Sequence, residues 1–191
     1  MRYPPAHRVK IHQEIVKDAS RRLRAEGLTG AAVSTVMRDA GLTHGGFYKH
    51  FRSKDELVME SLREAFQEMA DFLAHAAQKS KPGTAWKAIV KNYLSAEHCA
   101  HTERGCPLAA LAPELARADK AMKAGIFEEM EKYKRRMLPF MPGRRASDKK
   151  RAFAVIISTM LGALAIARIL PDQATRSRVL ASARNFLLRS F

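Results

Sequence analysis

Ile11, Ile15, Ala19 and Leu23 recur at every fourth residue. That spacing lines four apolar side chains along one face of a helix and leaves the other faces to charged groups. A helix with one apolar stripe must lay it against a neighbour, so the stripe demands a packed helical unit. The same periodicity returns in Leu57, Val58, Leu62, Phe66, Met69 and Leu73. No stretch sustains period-two alternation, and β-branched clusters are few. The expected fold is all-α, about nine helices, with a compact three-helix unit over residues 1–55 and a larger helical part over residues 56–191.

The breaks fall at turn and capping residues. Gly27 sits where the first helix stops. Val33, Val36, Met37 and Ala40 make a second, short stripe, and Gly41-Leu42-Thr43 separates it from a third helix at about His44 to His50. Ser53-Lys54-Asp55-Glu56 has the form of a capping box opening a long helix. Lys81-Pro82-Gly83 ends that helix, and Thr84 is placed to cap the next, which should run to about His101. Gly105-Cys106-Pro107 is a further break, followed by a short helix to about Arg117 and a longer one to about Met137. Ser147 is expected to cap the helix holding the apolar run Phe153–Leu170. Pro171-Asp172 ends it and opens the last helix.

Charge separates the two parts. The chain carries a formal +15. Residues 1–54 hold 11 Lys+Arg against 4 Asp+Glu, and the remaining 137 hold 23 against 15. Charge per residue is therefore about twice as high in the first part, which favours a polyanionic partner for that part. The Phe153–Leu170 run is at the short end for spanning a bilayer and includes Ser158, Thr159 and Arg168, so it reads as a buried helix and no membrane partner is expected. The absence of a secretory pattern and only two cysteines fit a cytoplasmic protein.

Residues 33–51, VSTVMRDAGLTHGGFYKHF, have the layout of a helix-turn-helix. Ala40 is small enough for two helices to approach. Gly41 permits positive φ in the turn, Leu42 can plug the gap, and Thr43 can cap the second helix. Phe47 and Phe51 anchor that helix, which leaves His44, Gly45, Tyr48, Lys49 and His50 for the outer face. Tyr48 and Lys49 can reach phosphates, while His44 and Lys49 can touch base edges. Lys54 opposes the helix dipole in the first turn of the long helix, which makes sense where a phosphate shares the site.

Ala40 to Leu57, AGLTHGGFYKHFRSKDEL, resembles the TetR family of transcriptional regulators, and the specific part of the resemblance spans about residues 8–60. It implies a DNA-binding head, a helical ligand-binding and dimerisation domain, a homodimer on a near-palindromic double-stranded operator, and repression relieved by a small apolar effector. It places Thr43, Tyr48 and Lys54 on phosphates, and His44, Gly45 and Lys49 in the major groove. The Thr or Ser often found opening the second helix is Ala31-Ala32 here, so Ser34 or Thr35 would have to substitute. Arg2, Arg8 and Lys10 are candidates for the minor groove or for a basic tail. GCPLAALAPELAR, Gly105 to Arg117, is similar to one branch of such regulators.

For the effector, Phe66, Met69, Trp86, Tyr93, Phe127 and Met130 are candidate pocket walls, alongside the plainer reading that they fill the core. The resemblance puts the dimer seam on the last two helices. Val155, Ser158, Gly162, Ala163, Ile166, Val179 and Phe186 suit it by small size or apolar character. Two alternatives use Glu97-His98-Cys99-Ala100-His101 and Cys106: a metal-responsive site through His98 and His101, or a redox pair of Cys99 and Cys106. A basic membrane-surface protein is a further alternative. No G-x-S-x-G, Walker or H-E-x-x-H pattern occurs, so no enzyme and no cofactor are expected.

Overall fold

The structure, a computed structural model, describes residues 5–191; Arg2 lies outside them. Nine α-helices and no strand are found among the described residues. They are α1 (Pro5–Glu26), α2 (Val33–Asp39), α3 (Lys54–Gln78), α4 (Ala85–Tyr93), α5 (Ala96–Ala100), α6 (Pro107–Leu115), α7 (Lys120–Met137), α8 (Ala146–Ile169) and α9 (Gln173–Ser190). Short 3-10 turns fill several connections, including His44–Lys49, which stands where a third helix was expected.

The head closes around α1. Ile15, Val16, Ala19, Val36, Met37, Phe47, Phe51 and Leu57 form one buried cluster, with Ile11, Val33 and Leu42 packed on it. The α1 stripe thus meets both arms of the helix-turn-helix and the start of α3. Arg22 adds ion pairs from α1 to its own Asp18 and Glu26 and across to Asp39 of α2.

A second cluster joins the head to the larger part: Leu23 and Ala31 pack with Val58 and Leu62 of α3, Leu111 and Leu115 of α6, and Ile126 of α7. A polar tether runs beside it. Arg24 is fully buried on α1 and donates to the carbonyls of Ser20 and Gly105 and, at 2.6 Å, to Glu68 of α3. Glu114 of α6 accepts the Leu28 N–H at 2.8 Å. Gly27 (φ 78°) turns the chain there, and a Cβ on it would meet Glu114 Oε1 at 2.7 Å.

The third cluster is the core of the larger part, built on α3, α4, α7, α8 and α9. Ala152, Ile156, Met160, Leu164 and Ala167 make the inward stripe of α8. The apolar run, read from the sequence as a buried helix, is buried on one side within the chain. Val155, Ile166 and Ile169 are exposed on α8, as is Phe186 on α9. By length and composition α8 is apolar enough to cross a membrane, and a third of its apolar window is buried within the chain.

Several expected ends shift. The helix opened near Thr84 stops at Tyr93 instead of running on to His101. Ser95 starts α5 by accepting the His98 N–H at 3.1 Å, and the His98 ring engages the Tyr93 carbonyl, so the chain turns between the two. Thr84 stands at the N-cap of α4, but its side chain makes no capping bond; its hydroxyl donates to the Lys81 carbonyl. Arg145, not Ser147, precedes α8, and Asp148 accepts its backbone N–H at 3.3 Å.

Candidate nucleic-acid interface and junction cavity

The turn of the helix-turn-helix is fixed by backbone bonds. Gly41 N–H reaches the Arg38 carbonyl at 3.0 Å and Leu42 N–H reaches Met37 at 2.8 Å, which is the Schellman pattern, with Gly41 at φ 69°. A residue with a Cβ would be strained at that position. Leu42 packs half-buried on the head core as anticipated. Ala40 is exposed, so it does not hold the helices together; Val36, Met37 and Phe47 do.

The segment that follows is tightened into a 3-10 turn. Gly45 and Gly46 weaken α-helix formation by about 1 kcal/mol each, and six residues between two anchors leave little room for a full helix. Thr43 stands at its start, but its side chain makes no capping bond. Phe47 and Phe51 are buried with rings 5.3 Å apart. Tyr48 stands edge-on to Phe47 and is 71 % exposed, so its hydroxyl projects from the head. Ser34, Thr43, His44, Gly45, Lys49 and Lys54 are exposed as well, while Thr35 is half-buried on α2. No atom of the protein lies within 4 Å of a Cβ built on Gly45.

His50 departs from the expected outer face. It is half-buried, its ring faces His12 and Phe51, and burial together with the charges of His12, Arg8 and Lys49 lowers its pKa. Arg8, considered for the minor groove, donates to the Lys49 carbonyl and clips α1 to the end of the 3-10 turn. Ser53 accepts the Glu56 N–H at 3.1 Å, and Glu56 returns its bond to Arg52 N–H, one residue earlier than the expected box.

Of the expected effector walls, Phe66, Met69, Trp86 and Tyr93 are buried core residues. Phe127 and Met130 point outward from α7 and share no interior space with them, because the inward positions of α7 are taken by Ile126, Tyr133 and Met137. The space itself lies elsewhere. A cavity of about 700 Å³ opens where α1, α3, α4 and α5 meet, lined by Arg21, Glu68, Phe72, Lys91, Asn92, Ser95, Glu97, His98, His101 and Arg104. Sequence reading missed most of these residues, which come from three separate stretches of chain, at Arg21, at Glu68 and Phe72, and from Lys91 to Arg104.

His98 is the buried member of that wall. Its Nδ1–H donates to the Tyr93 carbonyl at 2.6 Å, and its Nε2 accepts the Cys106 N–H at 3.1 Å. Both nitrogens are occupied, and burial brings its pKa down to about 4. A neutral ring with no free lone pair is not a metal ligand. His101 lies beyond the end of α5, exposed beside Glu103, so the two histidines do not share a helix face. Among the described residues no group of three His, Cys, Asp or Glu side chains could hold a metal. Cys99 and Cys106 are both free and buried, and burial pushes the Cys106 thiol up, away from the reactive thiolate. Arg168 of α8 packs across this corner, donating to the His98 carbonyl at 3.0 Å and the Cys99 carbonyl at 3.3 Å.

The head and the helical bundle behind it define an all-α protein built to present a helix-turn-helix. A family model described as bacterial regulatory proteins, tetR family, matches residues 15–60. The whole chain superposes on a TetR-family transcriptional regulator from Cytophaga hutchinsonii with a TM-score of 0.76 at 18 % identity, covering 98 % of each chain. A TetR transcriptional regulator from Chloroflexus aurantiacus gives 0.77 at 21 % identity over 96 % of this chain and 95 % of that one. A TetR-family regulator from Streptomyces coelicolor gives 0.73 at 17 % identity over 100 % and 96 %. A search of curated protein sequences gave no match. The family model thus matches the head alone, and the fold is shared along the full length with solved TetR-family regulators.

Proposed function

We propose that the protein is a homodimeric transcription regulator, a repressor released from a near-palindromic operator when a small molecule binds behind the head. The observation that carries this reading is the exposed row His44, Gly45, Tyr48 and Lys49, held out from the head by buried Phe47 and Phe51. His44, Gly45 and Lys49 enter the major groove. Thr43, Tyr48 and Lys54 meet phosphates, with Ser34 and Thr35 at the start of α2 beside them. His50 stays inside and orients the turn.

The second copy covers the outward faces of α8 and α9. Val155, Ser158, Gly162, Ile166 and Phe186 are exposed there and give an apolar, close-packing seam. Ala163 and Val179, also expected in the seam, pack instead against the chain's own core. Two heads in such a dimer meet half-sites about 34–36 Å apart or a multiple of that.

The test selects genomic DNA fragments with the purified protein and measures its mass by light scattering. Enrichment of palindromic fragments by a dimer is expected. Ile166→Glu should yield monomers that bind those fragments far more weakly. Uniform, weak binding to every fragment would contradict the regulator reading, and a dimeric Ile166→Glu would move the seam.

A further inference from the structure

Building on the reading that the helical bundle senses a small molecule, we propose that the effector is an organic anion on an apolar body, bound in the junction cavity. Its carboxylate or phosphate sits between Arg21 of α1 and Lys91 and Arg104 of the bundle.

The cavity, at about 700 Å³, is within the range that holds drug-sized ligands. Its wall is not the apolar one expected. The large apolar side chains Phe66, Met69, Trp86 and Tyr93 are consumed by the core, and Phe72, 45 % exposed, is the aromatic left facing the space. Arg21 and Lys91 are exposed and have no carboxylate within ion-pairing distance among the described residues; Arg104 has only Glu103, at 3.9 Å. Of the two acidic wall residues, Glu68 is already answered by buried Arg24 at 2.6 Å, which leaves Glu97. His98 is neutral with both nitrogens used, so it adds ring surface beside Phe72, the two rings 6.4 Å apart. The wall thus offers two unpaired cations, a third held only at 3.9 Å by Glu103, and a flat apolar surface, which suit an anion with an apolar body.

The position links binding to the head. Arg21 stands one turn before Arg24, the buried residue that ties α1 to Glu68 and Gly105. An anion bridging Arg21 to Lys91 and Arg104 fastens the helix that carries the head to the bundle in one arrangement. It shifts DNA affinity by as much as it prefers that arrangement over the DNA-bound one.

The experiment titrates DNA-free protein with salicylate, 1-naphthoate, decanoate and octyl phosphate, following the Phe72 and His98 ring resonances by NMR. Neutral 1-naphthamide is the matched control. At least one anion should saturate at millimolar concentration or below, with naphthamide about tenfold weaker than naphthoate, the loss of one good ionic contact. The octyl phosphate arm shows whether phosphate or carboxylate is preferred. Arg21→Gln with Lys91→Gln should abolish the response while leaving the thermal midpoint in place, since both side chains are exposed. No ring response to any of the four anions, equal binding of naphthamide, or an unchanged response in the double variant would each overturn the proposal. Because the titration contains no DNA, its failure leaves the regulator reading standing. Failure to bind operator fragments without any anion would strike that reading and leave the site untouched.

Discussion

The head and the junction cavity sit on the same helix, α1, yet they are built in opposite ways. The head assembles a continuous stretch: α1, the Gly41 turn and Phe47 and Phe51 close one small core within about 45 residues. The cavity draws Arg21 from α1, Glu68 and Phe72 from α3, Lys91 from α4 and Arg104 from a turn after α5. Local construction lets a small core aim a fixed row of side chains outward. Distributed construction makes the cavity sensitive to how α1 lies on the bundle, the relation that a sensor has to change.

The comparison can be broken first at the head. Phe47→Ala removes the anchor on which the recognition turn rests and should cost about 3–5 kcal/mol. Hydrogen exchange should show α2 and the His44–Lys49 turn opening while α8 and α9 stay protected. Equal loss of protection in both regions would mean that the head is not an independent local core.

The junction should respond to acid. His98 has a folded pKa of about 4 against about 6.5 when unfolded. The folded state therefore binds fewer protons between those values. Its stabilising share is complete above pH about 6.5 and is lost as the pH falls towards about 4. The loss should be about 3 kcal/mol, read from urea melts across that window. His98→Asn should flatten the dependence. An unchanged slope in that variant would assign the acid sensitivity to other groups.

The smallest stability effect sharpens the contrast most. Gly45→Ala meets no atom of the protein within 4 Å. It should leave the head as stable as before or improve it by up to about 1 kcal/mol, and still weaken binding to selected DNA, because the proposed contact surface includes Gly45. Unchanged DNA affinity would take Gly45 out of that surface.

The same contrast explains what could be read from the sequence. The head was legible because its signals are local: a four-residue stripe, a glycine at a positive-φ turn, two aromatics four apart. The buried side of α3 from Leu57 to Leu73 was legible for the same reason. His50 was not, because its inward turn depends on His12 and Phe51 across the head. Phe127 and Met130 were misplaced because composition does not say which face of α7 meets the bundle. Arg24 drew no notice as a charged residue just after the apolar stripe, although it is the buried tether between head and bundle. Of the cavity wall, Glu97, His98 and His101 stood out only as part of a metal-ligand pattern, because long-range packing is what gathers them with Arg21, Glu68 and Phe72.

The central claim, that the His44–Lys49 turn reads DNA, is tested most directly by fluorescence anisotropy on a selected palindromic fragment across a salt series. The pairs to compare are wild type with Tyr48→Ala and with Lys49→Ala. Tyr48→Ala should weaken binding to all sequences alike and leave the mass in solution unchanged. Lys49→Ala should change the preference between the palindrome and a scrambled duplex, and the salt slope should fall by about one where a phosphate contact is also lost. Wild-type affinity and preference in both variants would contradict the account and place the DNA surface elsewhere on the molecule.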